Sequence, residues 1–191
     1  HVPISTSSEQ AQKYFDQGLR LYYGFNHDEA IRSFRKAADL DPNASMTWWG
    51  IALANGPHIN NPSVSPESAS AAWDALQRAR REPRETTPVE SALIDALATR
   101  YADPQPADRT ALDVAYADAM REVWKRYPTD ADVGALFAEA MMDLRPWNQW
   151  TPAGDPQPGT PEILATLEAV MKLRPDHPLA YGYDETTSIF R

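Results

Sequence analysis

Imidazole and amide side chains, which can bind a transition metal or a small polar ligand, cluster at two places in this sequence. The stretches "FNHDEA" and "GPHINNP" supply Asn26, His27, His58, Asn60 and Asn61. A metal site would use His58 and His27, with Asn61 beside them. The same residues also have a structural explanation, because Asn caps helices and bonds its own backbone in turns. The pattern leaves both explanations open, and His58 is the strongest candidate for a ligand.

A third stretch, "RPWNQWTPAGDPQPG", carries two tryptophans in a connection longer than a helix–helix turn requires. Exposed indole rings at Trp147 and Trp150 would form a wall for an apolar, sugar-like or peptide ligand. They would also serve as a lid over a site built from the histidines. Alternatively, both rings pack this loop onto the ends of its helices.

Established catalytic motifs are missing from the sequence. There is no cysteine, no HExxH, no GxSxG and no phosphate-binding loop. The amino group and ring of His1 could chelate copper, although His-Val-Pro is equally typical of a cleavage remnant. We predict no cofactor, keep a transition metal as an alternative, and favour a binding protein over an enzyme.

The elements that must position these residues are helices, because no segment alternates apolar and polar residues with period two. Capping signals and prolines divide the chain into helical segments. The first two helices follow Ser8 and Asn26. The next six are predicted at about 44–55, 65–81, 87–101, 108–127, 129–144 and 160–174, and a ninth helix starts at His177.

An internal repeat is clearest between residues 11 and 44. Small residues at Gly18 and Ala30 let two antiparallel helices approach closely, and Phe34 fills the gap to the next pair. Pro42 ends the unit because it cannot continue the helical hydrogen-bond ladder. We predict one all-α domain over residues 1–191, built as about four helical hairpins and a terminal helix within a longer solenoid.

Alternate turns of such a solenoid share an edge, so the connections within hairpins are predicted to form one rim. The first helix of each hairpin lines the groove that repeat proteins use for binding. We therefore predict a scaffold for a protein or peptide partner. Its candidate binding residues are Tyr14, Tyr22, Asn26, His27, Trp48, Asn55, His58, Asn60, Asn61, Trp147 and Trp150.

The motifs "FNHDEA", "GPHINNP" and "RPWNQWTPAGDPQPGT" make the chain resemble a group of bacterial tetratricopeptide-repeat (TPR) proteins that carry export signals. The resemblance covers nearly the whole chain. It implies a right-handed α–α superhelix and a periplasmic or secreted location, with the signal removed before His1. It implies no established activity.

Charge and hydropathy narrow the partners further. With 27 acidic and 18 basic residues the net charge is −9, which disfavours nucleic acid and anionic lipid. No apolar run reaches the roughly 20 residues of a membrane span. The ninth helix has no hairpin partner and carries Tyr181, Tyr183, Ile189 and Phe190, so a larger assembly through this helix is an alternative function.

Overall fold

Helices account for all the regular structure in the described residues, 1–81 and 85–180, of the computed structural model. No β-strand occurs in these two ranges. The predicted ninth helix begins at Pro178, and its aromatic residues beyond 180 lie outside the described residues. The eight helices are α1 Glu9–Tyr23, α2 His27–Leu40, α3 Ser45–Ala54, α4 Pro66–Ala79, α5 Pro88–Ala98, α6 Thr110–Arg126, α7 Ala131–Asp143 and α8 Thr160–Leu173.

Side-chain caps begin several helices where the sequence predicts them. Ser8, Ser65 and Asp130 each accept a hydrogen bond from a backbone N–H in the first turn of the following helix. Thr87 and Glu90 form a reciprocal capping box at α5. These caps satisfy amide groups that a helix start would otherwise leave without partners.

Two predicted caps are corrected by the structure. Asn26 occupies the N-cap position of α2, but its side chain makes no cap hydrogen bond. Gly159, rather than Thr160, is the N-cap of α8, and its positive φ of 94° suits glycine. The Thr160 hydroxyl donates instead to the backbone oxygen of Gln149 at 2.6 Å, because the preceding loop folds back over the start of the helix.

Contacts divide the chain into two compact units. The first comprises His1–Gly56 and Val64–Ala107, and the second comprises Pro57–Ser63 and the chain from Asp108 onward. Consecutive helices pack in chain order, α1 to α5 in the first unit and α6 to α8 in the second. The predicted all-α repeat-like fold is confirmed. The predicted third hairpin is divided, since α5 belongs to the first unit and α6 to the second.

The core of the first unit centres on the Phe34 ring of α2. A Cβ atom added to Gly18 of α1 would lie 2.7 Å from this ring, and one added to Gly50 of α3 would lie 2.6 Å from it. The ring is fully buried and is also 5.4 Å, centroid to centroid, from the ring of Phe15. Three helices therefore meet at one aromatic side chain, which only glycine on both neighbours can accommodate.

The core of the second unit inverts this arrangement. The small residue is Gly134 on the middle helix, α7. A Cβ atom added there would lie 2.6 Å from Val170 of α8 and 2.9 Å from the ring of Trp124 of α6. At this crossing the large side chains therefore belong to the outer helices, α6 and α8, and the glycine that makes room for them belongs to the central helix, α7.

One turn recurs three times and ends α2, α6 and α8. Its four residues are a C-cap with non-helical backbone angles, a proline, a polar residue and the residue that precedes the next helix. The C-cap N–H donates to the carbonyl four residues earlier, at 2.8–3.0 Å, and the fourth N–H donates to the C-cap carbonyl, at 3.0–3.2 Å. The three copies are Asp41–Ala44, Tyr127–Asp130 and Arg174–His177.

Within the part of the chain that the structure describes, no helix combines the length and apolar character needed to cross a bilayer.

Candidate functional site

The turn between α1 and α2 encloses its histidine. The His27 ring packs edge-on against Tyr22, with 5.2 Å between centroids, and Nδ1 donates to the backbone oxygen of Phe25 at 3.2 Å. Burial lowers the pKa of His27, against smaller opposing effects of the Phe25 bond and of the Asp28 charge. The imidazole is therefore a neutral packing group near pH 7.

The other candidate residues of the first unit differ in exposure. Tyr22 is 2% exposed and therefore lies in the core rather than on a binding surface. Tyr14 is half-buried and Asn26 is exposed. Asn55 is half-buried and donates to the backbone oxygen of Ile51 at 2.8 Å.

Trp48 is the candidate of the first unit with the most developed environment. Its ring is half-buried and lies under the guanidinium of Arg78, 4.5 Å from the ring centroid. Its indole N–H donates to the backbone oxygen of Pro42 at 2.8 Å. An indole can bind a ligand through its π system or through its N–H group, and here Arg78 and the Pro42 oxygen of the same unit already contact these two groups.

Within the "GPHINNP" stretch, the residues after Gly56 form a closed turn that belongs to the second unit. The backbones of His58 and Asn61 exchange two hydrogen bonds, at 3.1 and 2.8 Å. Ile59 is buried and anchors the turn, whereas Asn60 and Asn61 are exposed and His58 is half-buried. The two amides thus stand at the surface on a rigid base.

The predicted metal pair is distributed over both units, since His27 belongs to the first and His58 to the second. Among residues 1–81 and 85–180, no three His, Asp or Glu side chains form a group suited to hold a metal ion. Metal binding at His58 stays a prediction, which elemental analysis of the purified chain and of His58→Ala tests directly. The shared rim of turns also stays a prediction.

The long connection between α7 and α8, residues 145–159, is held in one conformation by Gln149. Its amide nitrogen donates to the backbone oxygens of Arg145, at 2.8 Å, and Met142, at 3.3 Å. Its own backbone oxygen accepts from Gln157 N, at 2.9 Å, and from the Thr160 hydroxyl. Gln149 is 6% exposed, so the loop is built around a buried polar centre.

Trp147 points out of this ordered loop. Its side chain is 55% exposed, the largest fraction for any large apolar residue within the described ranges. Its backbone φ is 58°, in the left-handed region that costs a non-glycine residue about 1–2 kcal/mol. Exposed Asn148 lies beside it and accepts a hydrogen bond from the Gln157 side chain at 3.4 Å, whereas Trp150 is half-buried. Of the two predicted indoles, Trp147 is the one presented to solvent.

Phe25 is the second non-glycine residue with a positive φ, 59°, among the described residues, and it is 37% exposed. Like Trp147, it lies in a predicted within-hairpin connection. In both units such a connection holds an aromatic residue in an unfavourable backbone conformation and leaves its ring at the surface. At Phe25 the cause is the end of α1: Asn26 N–H donates to the Leu21 oxygen at 2.8 Å and Phe25 N–H to the Tyr22 oxygen at 2.9 Å, which are the two bonds of a Schellman motif. The left-handed backbone of Phe25 therefore follows from helix termination.

Sequence reasoning missed the buried polar residues that build these loops. Gln149 stands between two tryptophans in a proline-rich stretch, where an exposed amide is the ordinary expectation. Glu90 fits the local pattern of a capping box with Thr87, but its bonds to Ser5, 85 residues away, have no local signal. Neither residue has a local signal that separates a buried amide or carboxylate from a solvated one.

Comparisons with known proteins add no relative: no protein-family model matches the chain, and a search of curated proteins finds no match.

Proposed function

We propose that this chain is a scaffold of the TPR type that binds a protein or peptide partner through a surface centred on Trp147. The supporting observation is the Trp147 indole, more than half exposed on a loop that Gln149 holds in place. Isolated exposed apolar residues are ordinary. It is unusual, however, for such a residue to have a left-handed backbone conformation and to lie on a loop that a buried glutamine, Gln149, holds in place.

The physics of interfaces favours this residue as an anchor. Tryptophan is enriched among the side chains that dominate binding energy, because a rigid aromatic ring buries much apolar area and loses few rotamers. A preformed loop also avoids the entropy of ordering on binding. Asn148, next to Trp147 in the chain, and Gln157, which is hydrogen-bonded to it, carry further donors and acceptors for a peptide backbone.

A displayed peptide library, selected against the intact chain at neutral pH, tests the proposal. We expect peptides that bind the wild type to lose about 30-fold in affinity for Trp147→Ala, since truncating a central aromatic typically costs about 2 kcal/mol. Leu173→Ala is the matched control, because Leu173 is 44% exposed in the same unit but lies at the end of α8.

Equal binding of the selected peptides to the wild type and to Trp147→Ala would overturn the proposal. Circular dichroism of the variant verifies that the loop substitution leaves the helices intact. Gln149→Ala provides a second readout: the indole stays in the chain while its support is removed, so we expect an intermediate loss of affinity.

The repeat type is supported by the Phe34 contact with Gly18 and Gly50 and by the turn that recurs at 41, 127 and 174. An extracytoplasmic location belongs to the same proposal and rests on the resemblance of the motifs. Fractionation of producing cells, with antibody detection of the chain, tests it. Retention in the cytoplasmic fraction would contradict this part alone.

Assembly through the terminal helix is the second candidate function. The third copy of the recurring turn, Arg174–His177, starts a helix at Pro178, as the first copy starts α3. In the first unit, α3 is covered by later helices. A helix begun in the same way has a face for a following element, in this chain or in a neighbour. Light scattering after size exclusion tests this, and a monomer of 21.3 kDa would count against self-association.

A further inference from the structure

His177 is a fully buried histidine placed at the start of a helix. It is 0% exposed, and it is the fourth residue of the third recurring turn. The helix that follows begins at Pro178, so His177 is its N-cap. The ring therefore occupies the position that a small polar cap such as Ser or Asp usually takes.

The hydrogen bonds of the ring define where its proton resides. The backbone N–H of Ala180 lies 3.3 Å from Nδ1, and an amide nitrogen can only donate. Nδ1 is consequently the acceptor, and the proton of the neutral ring is on Nε2. This Nε2–H donates to Oδ1 of Asp132, 3.1 Å away.

Among the described residues, Asp132 and Arg174 bring charge to this ring, one from each helix that meets there. Asp132 belongs to the first turn of α7, and Arg174 is the C-cap of α8. The Arg174 guanidinium lies 2.7 Å from the same Asp132 oxygen that accepts from His177. The carboxylate favours a positive ring, whereas the guanidinium opposes it and holds the carboxylate in place.

The corresponding residues of the other two turns have a different cap chemistry. Asp130 accepts from the backbone N–H groups of Asp132 and Val133 through its carboxylate. Ala44 has no side-chain acceptor. Of the three copies, His177 alone caps through a nitrogen lone pair that a proton can occupy.

We propose that His177 is a proton-sensitive cap that loosens the start of the helix at Pro178 when the ring becomes charged. The proton comes from solvent and binds Nδ1, which converts the acceptor into a donor facing the Ala180 N–H. The Nε2–H bond to Asp132 survives and becomes an ion pair. The ring stays where it is, while the first turn of the helix loses its cap.

This inference is independent of the proposed binding surface, since it involves neither Trp147 nor the loop that carries it. It gives the described first turn of the helix, residues 178–180, two states that differ by one proton.

Nuclear magnetic resonance of the intact chain tests the cap. At pH 7.5, histidine nitrogen shifts should report the Nε2–H tautomer for His177. On lowering the pH to 5.5, amide exchange at Ala180, corrected for its intrinsic pH dependence, should accelerate about fivefold, as expected for the loss of one cap. His177→Asn keeps a good cap without an ionisable ring, so its Ala180 exchange should be insensitive to this pH change.

Two further variants complete the design. Asp132→Asn retains an acceptor but removes the charge that favours the imidazolium, so it should shift the change at Ala180 to lower pH. His27→Asn is the control histidine and should leave the Ala180 response intact. The Nδ1–H tautomer at pH 7.5, or an unchanged exchange rate at Ala180 in the wild type, would overturn the proposal even if a variant failed to fold.

Discussion

The two units solve the same packing problem in opposite ways. In the first, a large ring on α2, Phe34, enters the space left by glycines on α1 and α3. In the second, the glycine is on the central helix, and Val170 and Trp124 approach it from either side. The comparison teaches that close approach between helices needs one small residue per contact, and that the fold leaves open which helix carries it.

The largest effect is expected from emptying the crossing of the first unit. Phe34→Ala removes a fully buried ring and leaves a cavity bounded by two glycine backbones, which have no side chains to fill it. We expect a loss of about 3–5 kcal/mol in the free energy of unfolding, measured by urea denaturation. Phe15→Leu, a milder change at the neighbouring ring, should cost less. A loss below 1 kcal/mol for Phe34→Ala would mean that the ring does not organise this core.

A comparable contrast exists between the buried polar groups that anchor a loop in each unit. Glu90 is 3% exposed and accepts from Ser5 N, at 2.6 Å, from the Ser5 hydroxyl and from Thr87 N. Gln149 is neutral. Bonds to a charged group are stronger, so Glu90→Ala should lower the free energy of unfolding by about 3 kcal/mol and Gln149→Ala by about 1 kcal/mol. Equal losses on denaturation would show that the charge of Glu90 adds nothing.

Overfilling the crossing of the second unit should have a moderate effect. Gly134→Ala places a methyl group within 3 Å of Val170 and Trp124, and such overpacking costs about 1–3 kcal/mol. Adding Val170→Ala opens the space again, so the double variant should lose less than the sum of the two single variants. Strict additivity in thermal unfolding would contradict the contact. Gly154→Ala, where an added Cβ meets nothing within 4 Å, separates backbone strain from crowding.

The smallest expected effect is the contribution of His27, in the first unit, to the pH dependence of the free energy of unfolding. Burial lowers the pKa of His27 in the folded chain, so the unfolded chain binds the proton more readily. The contribution of His27 to stability is therefore complete above the unfolded pKa of about 6.5 and declines as the pH falls below it. His27→Gln should flatten the dependence of the free energy of unfolding between pH 7 and pH 5. If the free energy of unfolding depended more steeply on pH in the variant than in the wild type, the inferred direction of the His27 contribution would be wrong.

Local signals explain why the sequence predicted the helices. Caps such as Ser65 and Thr87, and prolines such as Pro42, act within a few residues, so their effects can be derived without coordinates. The position of Phe34 between the first helical pair and the next was also predictable from the repeat spacing, and the structure places its ring against Gly50 of α3. Its equally close contact with Gly18 was not part of that prediction. Contacts between distant residues were not. The pairing of His177 with Asp132 spans 45 residues, and nothing in the spacing of either indicates the other.

The same limit applies to the candidate site. Aromatic composition singled out Trp147 and Trp150 together, but only the course of the loop decides which ring is exposed. Asn26 shows the converse, since a residue type favoured for capping stands at the right position and yet makes no cap bond. Propensity describes what a residue commonly does, and the surrounding backbone determines whether it does so here.

The recurring four-residue turn has a consequence for how such a chain can grow. The backbone hydrogen bonds of the turn are made within its own four residues or to the helices directly before and after it. A helical pair inserted or excised between two copies would leave both joints with these backbone bonds, whereas side-chain contacts such as that of His177 with Asp132 depend on a more distant helix. Lengthening the chain by duplicating a helical pair therefore requires no new backbone hydrogen bonds at the turns. It requires only that the apolar faces of the helices match where the added pair packs.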